Sequence, residues 1–558
     1  MASEKKPATF VRNATGLVRS SSWVDMMFLN LVSFGGFWSI IYAFTYAPLY
    51  GGDPAVSLLL TAPGILALLG VYYIFNTSMP RSGGDYVYVS RVLIPAVGLA
   101  ANFVGWAIFL WFWIGDAASV FSSQGLSQIL SVFHALTGAT SAGSLSAWFP
   151  VPINNFVIGT IAIVVFTLLV IVSSRAYYRI QNILMSIALI GIAITAVLLI
   201  SAVLNPSSFV NSFNSYATHV NAGLTPNAYD NISAAGAAVA PTHSPTNLGA
   251  NLLLVPLWFT VLFWVFSSNY LGGELKNASK TAGKALFASF GIVFAATIVI
   301  LEAAYYGLGF NFMVGIDNIY YGYLPNTLGA TPNLALIAGI LTNNSLLVIF
   351  LGIGIVSGFL LVAPWAMTIM SRILFAYSFD RVVPISLANV SSRFSTPVKA
   401  ILVASVGGEI MLLFLSGILG GTTSSAAFAL YSYASIGDIG ITFVIVSIAA
   451  IVFPYRKKQL YEVTASVKRK VAGLPVITWL GVVALIYSVG TVVWYTYDQV
   501  FYFFGCPAGG VVACDYNWFL ILLAVLFVAT IAYYYVLRSY RARQGIPIDA
   551  VFAEIPPE

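Results

Sequence analysis

Four carboxylates in this chain fall inside long apolar runs: Asp116, Glu302, Glu409 and Asp438. An ionised side chain at mid-bilayer costs at least about 2.5–3.5 kcal/mol, so each is a candidate for function. Such a group can pair with an ammonium. It can also hold a proton, because burial disfavours the charged form. Asp116 and Asp438 are the candidates to take up a proton, whereas Glu409 and Glu302 are read as structural or peripheral. A second kind of chemistry comes from the backbone. Ser33-Phe34-Gly35-Gly36-Phe37 interrupts the first apolar run. Adjacent glycines weaken a helix by about 1 kcal/mol each. Non-helical backbone at that depth survives where it lines a cavity or is buried in protein. Close packing of a neighbouring helix is the other use of such glycines. No HExxH, GxSxG or GxxxxGK[ST] pattern occurs, so an enzyme, a zinc centre or an ATP-driven pump is not expected, nor any cofactor.

The elements that must position these residues follow from composition. Of 558 residues, 59% are apolar and only 8% charged. Soluble domains carry about 25% charge, which excludes a soluble fold and, despite a net charge of +6, a nucleic-acid binder. Runs of about 20 apolar residues predict transmembrane helices rather than barrel strands. Twelve stretches qualify: 24–46, 57–77, 97–121, 152–173, 181–204, 252–274, 286–308, 334–370, 398–419, 427–453, 473–497 and 517–537. The eighth is too long for one span, and its first third, Leu334 to Thr342, is expected to be a surface helix or the end of an outer loop.

All 24 Lys and Arg then fall on one side, which places both termini in the cytosol of a plasma-membrane protein. The three histidines (His134, His219, His243) fall outside, as do Cys506 and Cys514, which are expected to form a disulfide there.

Four further segments carry a resemblance. Pro80-Arg81-Ser82-Gly83-Gly84-Asp85-Tyr86-Val87-Tyr88-Val89-Ser90-Arg91 follows span 2. Gly273-Glu274-Leu275-Lys276-Asn277 follows span 6, with Ala278 in place of a proline. Ser371-Arg372-Ile373-Leu374-Phe375-Ala376-Tyr377 leads into Asp380-Arg381-Val382-Val383-Pro384 and then Phe394-Ser395-Thr396-Pro397. Span 10 carries Ser435-Ile436-Gly437-Asp438. In type and order these resemble the motifs of the amino acid–polyamine–organocation superfamily of transporters, over roughly residues 24–540.

The resemblance implies an all-α LeuT-type fold. Residues 24–204 and 252–453 would be two five-helix inverted repeats, separated by an outer loop at 205–251. Residues 1–23 and 538–558 would be cytosolic tails, 454–472 a basic cytosolic loop, and 473–537 two peripheral helices. Spans 1 and 6 would be discontinuous, offering N–H groups to a substrate carboxylate and carbonyls to its ammonium. Ser33, Phe34, Gly35, Gly36 and Phe37 would line the site. Phe263, Trp264, Phe266 and Ser267 would face them from span 6, where the family's Gly and Glu are not kept. Asp116, after Trp113-Ile114-Gly115, resembles a substrate-proximal Asn of arginine–agmatine exchangers. Arg81, Asp85, Glu274 and Arg372 are read as a cytosolic gate, with pairs such as Asp85–Arg372 or Glu274–Arg81, modest in worth if water-exposed. A sodium site in such folds would use Ser357 of span 8; the buried carboxylates favour a proton instead. The expected activity is import of amino acids or related amines by alternating access. An exchanger of the same fold and a non-transporting nutrient sensor or subunit are the alternatives.

Overall fold

The computed structural model describes residues 21–34, 37–220, 227–276, 278–342, 344–419, 438–464, 467–497, 517–546 and 548–553. Among them the protein is helical except for loops and one short hairpin, Lys470–Val471 against Leu474–Pro475. Ten of the described helices are long and apolar enough to cross a membrane, so the chain is an all-α, multi-pass membrane protein. Two expected runs are shorter apolar helices, Trp23–Ser33 and Gly440–Arg456. The first is short because its helix stops at Ser33 and a second one, Phe37–Tyr46, begins three residues beyond Phe34.

Three boundaries differ from the sequence expectation. Span 3 runs from Pro95 to Thr137, 43 residues. At 1.5 Å per residue it is about 65 Å long, roughly twice the hydrocarbon core, so its end projects beyond the membrane. Span 7 begins at Ala278 and runs through a π-helical turn into Phe310–Tyr320. The long eighth window divides into Leu334–Thr342 and Ser345–Phe379. Ser371 to Tyr377 therefore sit inside the span 8 helix rather than after it.

Bare glycine backbone brings helices together. A Cβ on Gly115 would lie 2.7 Å from the Gly408 carbonyl oxygen, and one on Gly408 would lie 2.1 Å from the Ile114 side chain. Spans 3 and 9 thus meet at backbone distance. A Cβ on Gly64 of span 2 would lie 2.3 Å from the Tyr487 ring of span 11, whose hydroxyl donates to the Leu60 carbonyl at 2.6 Å. Large apolar side chains such as Leu168, Val197, Ile486 and Val528 are more than half exposed. On a soluble protein that surface would be anomalous; in lipid it is the solvated face.

Candidate functional site

The first span opens with a capping box. Ser22 accepts from the Asp25 amide at 3.2 Å, and Asp25 accepts from the Ser22 amide at 2.9 Å. Its helix ends against span 6. The Ser33 hydroxyl lies 2.6 Å from two acceptors, the carbonyls of Asn30 and Trp264. The Asn30 side chain accepts from the Ser268 amide at 2.8 Å and donates to the Ser289 hydroxyl at 3.3 Å. Ser39 donates to the Phe34 carbonyl.

Span 6 stops being α-helical at Leu262 and continues as a 3₁₀ helix, Phe263–Tyr270. The Trp264 carbonyl also accepts from Ser267 at 3.0 Å, and the Phe266 carbonyl accepts from Asn269 at 2.6 Å. Polar side chains thus satisfy carbonyls that the change of helix type leaves without i+4 partners. The end of the first helix, at Ser33 and Phe34, thus meets the 3₁₀ segment of span 6, and the described residues there are buried.

Aromatic rings close around Trp264. Phe109 stacks on it at 5.1 Å, Trp113 meets it edge-on at 5.7 Å, and Trp106 and Trp365 lie at 5.9 and 6.2 Å. Trp106 belongs to a π-helical turn of span 3, Phe103–Ala107, a distortion that frequently marks functional positions. Phe266 is buried against Trp106 at 5.5 Å, Tyr72 at 4.5 Å and Phe443 at 5.2 Å. Asp116 is fully buried one turn beyond Trp113. Ser357 is buried on the span 8 helix. Glu302 accepts from the Ala55 amide at 2.7 Å, at the start of the span 2 helix, where a carboxylate complements the helix dipole. Glu409 accepts from the Thr160 hydroxyl. Gly35, Gly36, Cys506 and Cys514 lie outside the described residues, as do the side chains of Phe37, Phe263 and Asp438.

The charged motifs assemble below this junction, in pairs different from those expected. Arg372 grips Glu274, Nε to Oε1 at 2.7 Å and Nη2 to Oε2 at 3.2 Å. Its Nη1 donates to Ser371 at 2.9 Å. Arg91 grips Asp380, Nη2 to Oδ1 at 2.7 Å, with Nη1 2.7 Å from Oδ2. The side chains of both pairs are 1–5% exposed, so they are buried ion pairs, and the modest worth of a water-exposed bridge does not apply to them. Arg81 donates to the Pro80 carbonyl at 3.0 Å.

Asp85 does not pair with Arg372. Its Oδ1 accepts from the Tyr270 hydroxyl at 2.6 Å, from Asn102 at 2.9 Å and from the Tyr86 amide at 3.0 Å. Tyr377 donates to the same Asn102 at 2.5 Å. Burial pushes the Asp85 carboxyl up to about 7, against these hydrogen bonds, which lower it. The glycines before it are required where they stand. Gly83 and Gly84 have φ of +105° and +54°, and a Cβ on them would come within 2.6 Å of Ala376 and 2.8 Å of the Tyr270 ring.

The amino acid permease family profile matches residues 22–529. The chain belongs to the amino acid permease family. No curated protein matches it in sequence. Among solved structures it is similar to the crystal structure of MhsT in complex with L-phenylalanine, at 17% identity and TM-score 0.48, over 86% of this chain and 99% of that one.

In this permease several buried partners escaped the motif reading. Asn30 was hidden as one polar residue in an apolar run; its isolation there was the available signal. Arg91 and Asp380 each stand in a motif, but nothing in the order of residues says that they pair. Asn102, Tyr270 and Tyr377 gather around Asp85 from three spans; Tyr377 closes a quoted motif, whereas Asn102 and Tyr270 carried no signal.

Proposed function

We propose that the permease imports amino acids or related amines by alternating access, with the substrate held at the junction of spans 1 and 6. The observation that carries this reading is the hydrogen bond between Ser33, at the end of one interrupted helix, and the Trp264 carbonyl, in the 3₁₀ segment that interrupts the other. Backbone groups there are redistributable. A substrate ammonium can take the place of the Ser33 hydroxyl at that carbonyl without any buried counter-charge. The rings of Trp106, Phe109, Trp113 and Trp365 make the side-chain pocket apolar. The spans 1–5 and 6–10 act as inverted repeats, with the two interrupted helices as corresponding first members.

Arg372–Glu274 and Arg91–Asp380 act as the inner gate, at the cytosolic end, together with Asp85 and Arg81. Asp116, with Asp438, takes the coupling proton. The termini lie in the cytosol, on the side that holds every Lys and Arg.

The test is uptake of a labelled amino-acid mixture into proteoliposomes, with an acidic exterior imposed. Accumulation that collapses with a protonophore, and that Asp116→Asn abolishes, is the expected result. Uptake only into vesicles preloaded with amino acid would replace symport by exchange. Absence of uptake by folded protein under both conditions would sink the transport reading.

A further inference from the structure

The Arg91–Asp380 pair is roofed by a segment that belongs to neither the substrate junction nor the gate motifs. Beyond span 12, the short helix Ile548–Ala553 turns back onto the protein. Ile548, Val551 and Phe552 are buried at 2, 6 and 4% exposure. The Phe552 ring centre lies 4.8 Å from the Arg91 guanidinium carbon. The ring also meets Tyr534 at 5.8 Å and Tyr86 at 6.4 Å.

The other face of the helix is tethered. Asp549 bonds Arg538 of span 12 at 2.6 Å, with both side chains about half exposed. The Tyr533 hydroxyl donates to the Val382 carbonyl at 2.7 Å, two residues past Asp380. The same piece of span 12 therefore anchors the short helix and the loop that carries the gate aspartate.

A buried Arg–carboxylate pair loses in desolvation nearly what it gains in attraction. Arg91–Asp380 alone is then poised close to balance between a sealed pair and two hydrated ions. An apolar roof tips that balance. It keeps water away from the pair, and its ring face attracts the guanidinium where no water competes. Opening the gate would hydrate Arg91, which requires Phe552 to leave.

We propose that residues 548–553 form a cytosolic strap that holds the inner gate shut, and that withdrawing Phe552 from Arg91 is a step in opening it. The consequence for transport rests on the function proposed above; the structural consequence does not.

The test follows amide hydrogen exchange in the reconstituted full-length protein, on peptides covering Asp85–Val92. Phe552→Ala is expected to speed exchange there by about tenfold, the loss of one desolvated ring–cation contact and its packing. Asp549→Arg, at an exposed position that does not threaten folding, is expected to speed it by about twofold. The swapped pair Arg538→Asp with Asp549→Arg should return it to the original rate. Labelled uptake on the same vesicles should rise in initial rate for Phe552→Ala.

Exchange at the parent rate in both Phe552→Ala and Asp549→Arg would overturn the strap. So would acceleration by Asp549→Arg that the swap does not reverse. If Phe552→Ala does not fold, the charge swap alone decides. Faster exchange with no uptake by any variant or by the parent would leave the strap standing and overturn the transport reading.

Discussion

Removing one member of the Glu274–Arg372 pair should unlock the inner side. Arg372 is 1% exposed, and its only other described hydrogen bond is to Ser371. Glu274→Gln leaves a buried guanidinium facing a neutral amide, and breaking such a pair costs about 3–5 kcal/mol. That penalty falls on the sealed state, because opening hydrates Arg372. At about 1.4 kcal/mol per factor of ten, the sealed population should fall at least roughly a hundredfold relative to the open one.

A single cysteine at Thr368, one turn inward of Arg372 and 2% exposed, reports the change in a background with Cys506 and Cys514 replaced by Ser. A membrane-impermeant maleimide added from the cytosolic side should label it at least about a hundredfold faster in Glu274→Gln. The double variant Glu274→Leu with Arg372→Met removes both charges and keeps volume. It should label as slowly as the parent, since replacing a buried pair by apolar residues is often neutral or stabilising. Labelling of Glu274→Gln within about threefold of the parent, or a double variant as leaky as the single one, would refute the reasoning.

Three further outcomes follow from the same geometry. Asp85 has its carboxyl raised from 3.8 to about 7 by burial, so the sealed arrangement binds a proton that a hydrated Asp85 would release. Its contribution to closure is fully present below pH 3.8, declines as pH rises, and is gone above about 7; Asp85→Asn should flatten the pH dependence of cytosolic-side labelling across that window, and an unchanged profile would count against the role. Gly408→Leu would drive side-chain atoms into Ile114, where a Cβ alone comes within 2.1 Å. It should lower the unfolding temperature, by about 1–3 kcal/mol or more of stability, and an unchanged midpoint would contradict the backbone contact of spans 3 and 9. Trp264→Ala empties the centre of the aromatic cluster. It should cost about 3–5 kcal/mol in stability and widen uptake towards bulkier amino acids; a substrate range identical to the parent would remove Trp264 from the pocket.

Much of the candidate site was visible in residue types. Adjacent glycines after Ser33 mark where a helix should stop, and the first helix does end at Ser33 with Phe34 as its cap. At the break of span 6 no residue type gave such a warning, and only the family resemblance implied it. Phe263 to Tyr270 runs from aromatic to polar residues without a glycine or proline, and the change of helix type at Leu262 is sustained by Ser33 and Asn30 from another span. The charged motifs show the same division. Arg372 and Glu274 were named from their motifs, yet their partners were misassigned, because charge alone does not say which of several nearby ions lies within 3 Å.

The sequence by itself determined the class of this protein and the level at which its special residues lie. Apolar run length is matched to bilayer thickness, and a Lys or Arg in hydrocarbon is costly, so both read out along the chain without reference to neighbours. Only the tertiary structure decided which residues meet. It set Ser33 against the Trp264 carbonyl, and Arg91 against Asp380 with Phe552 above. It also put Asp85 in a neutral cluster instead of an ion pair. Those are contacts between residues up to several hundred positions apart. Their energies depend on burial and on geometry at the scale of an ångström, which arise only when the helices pack.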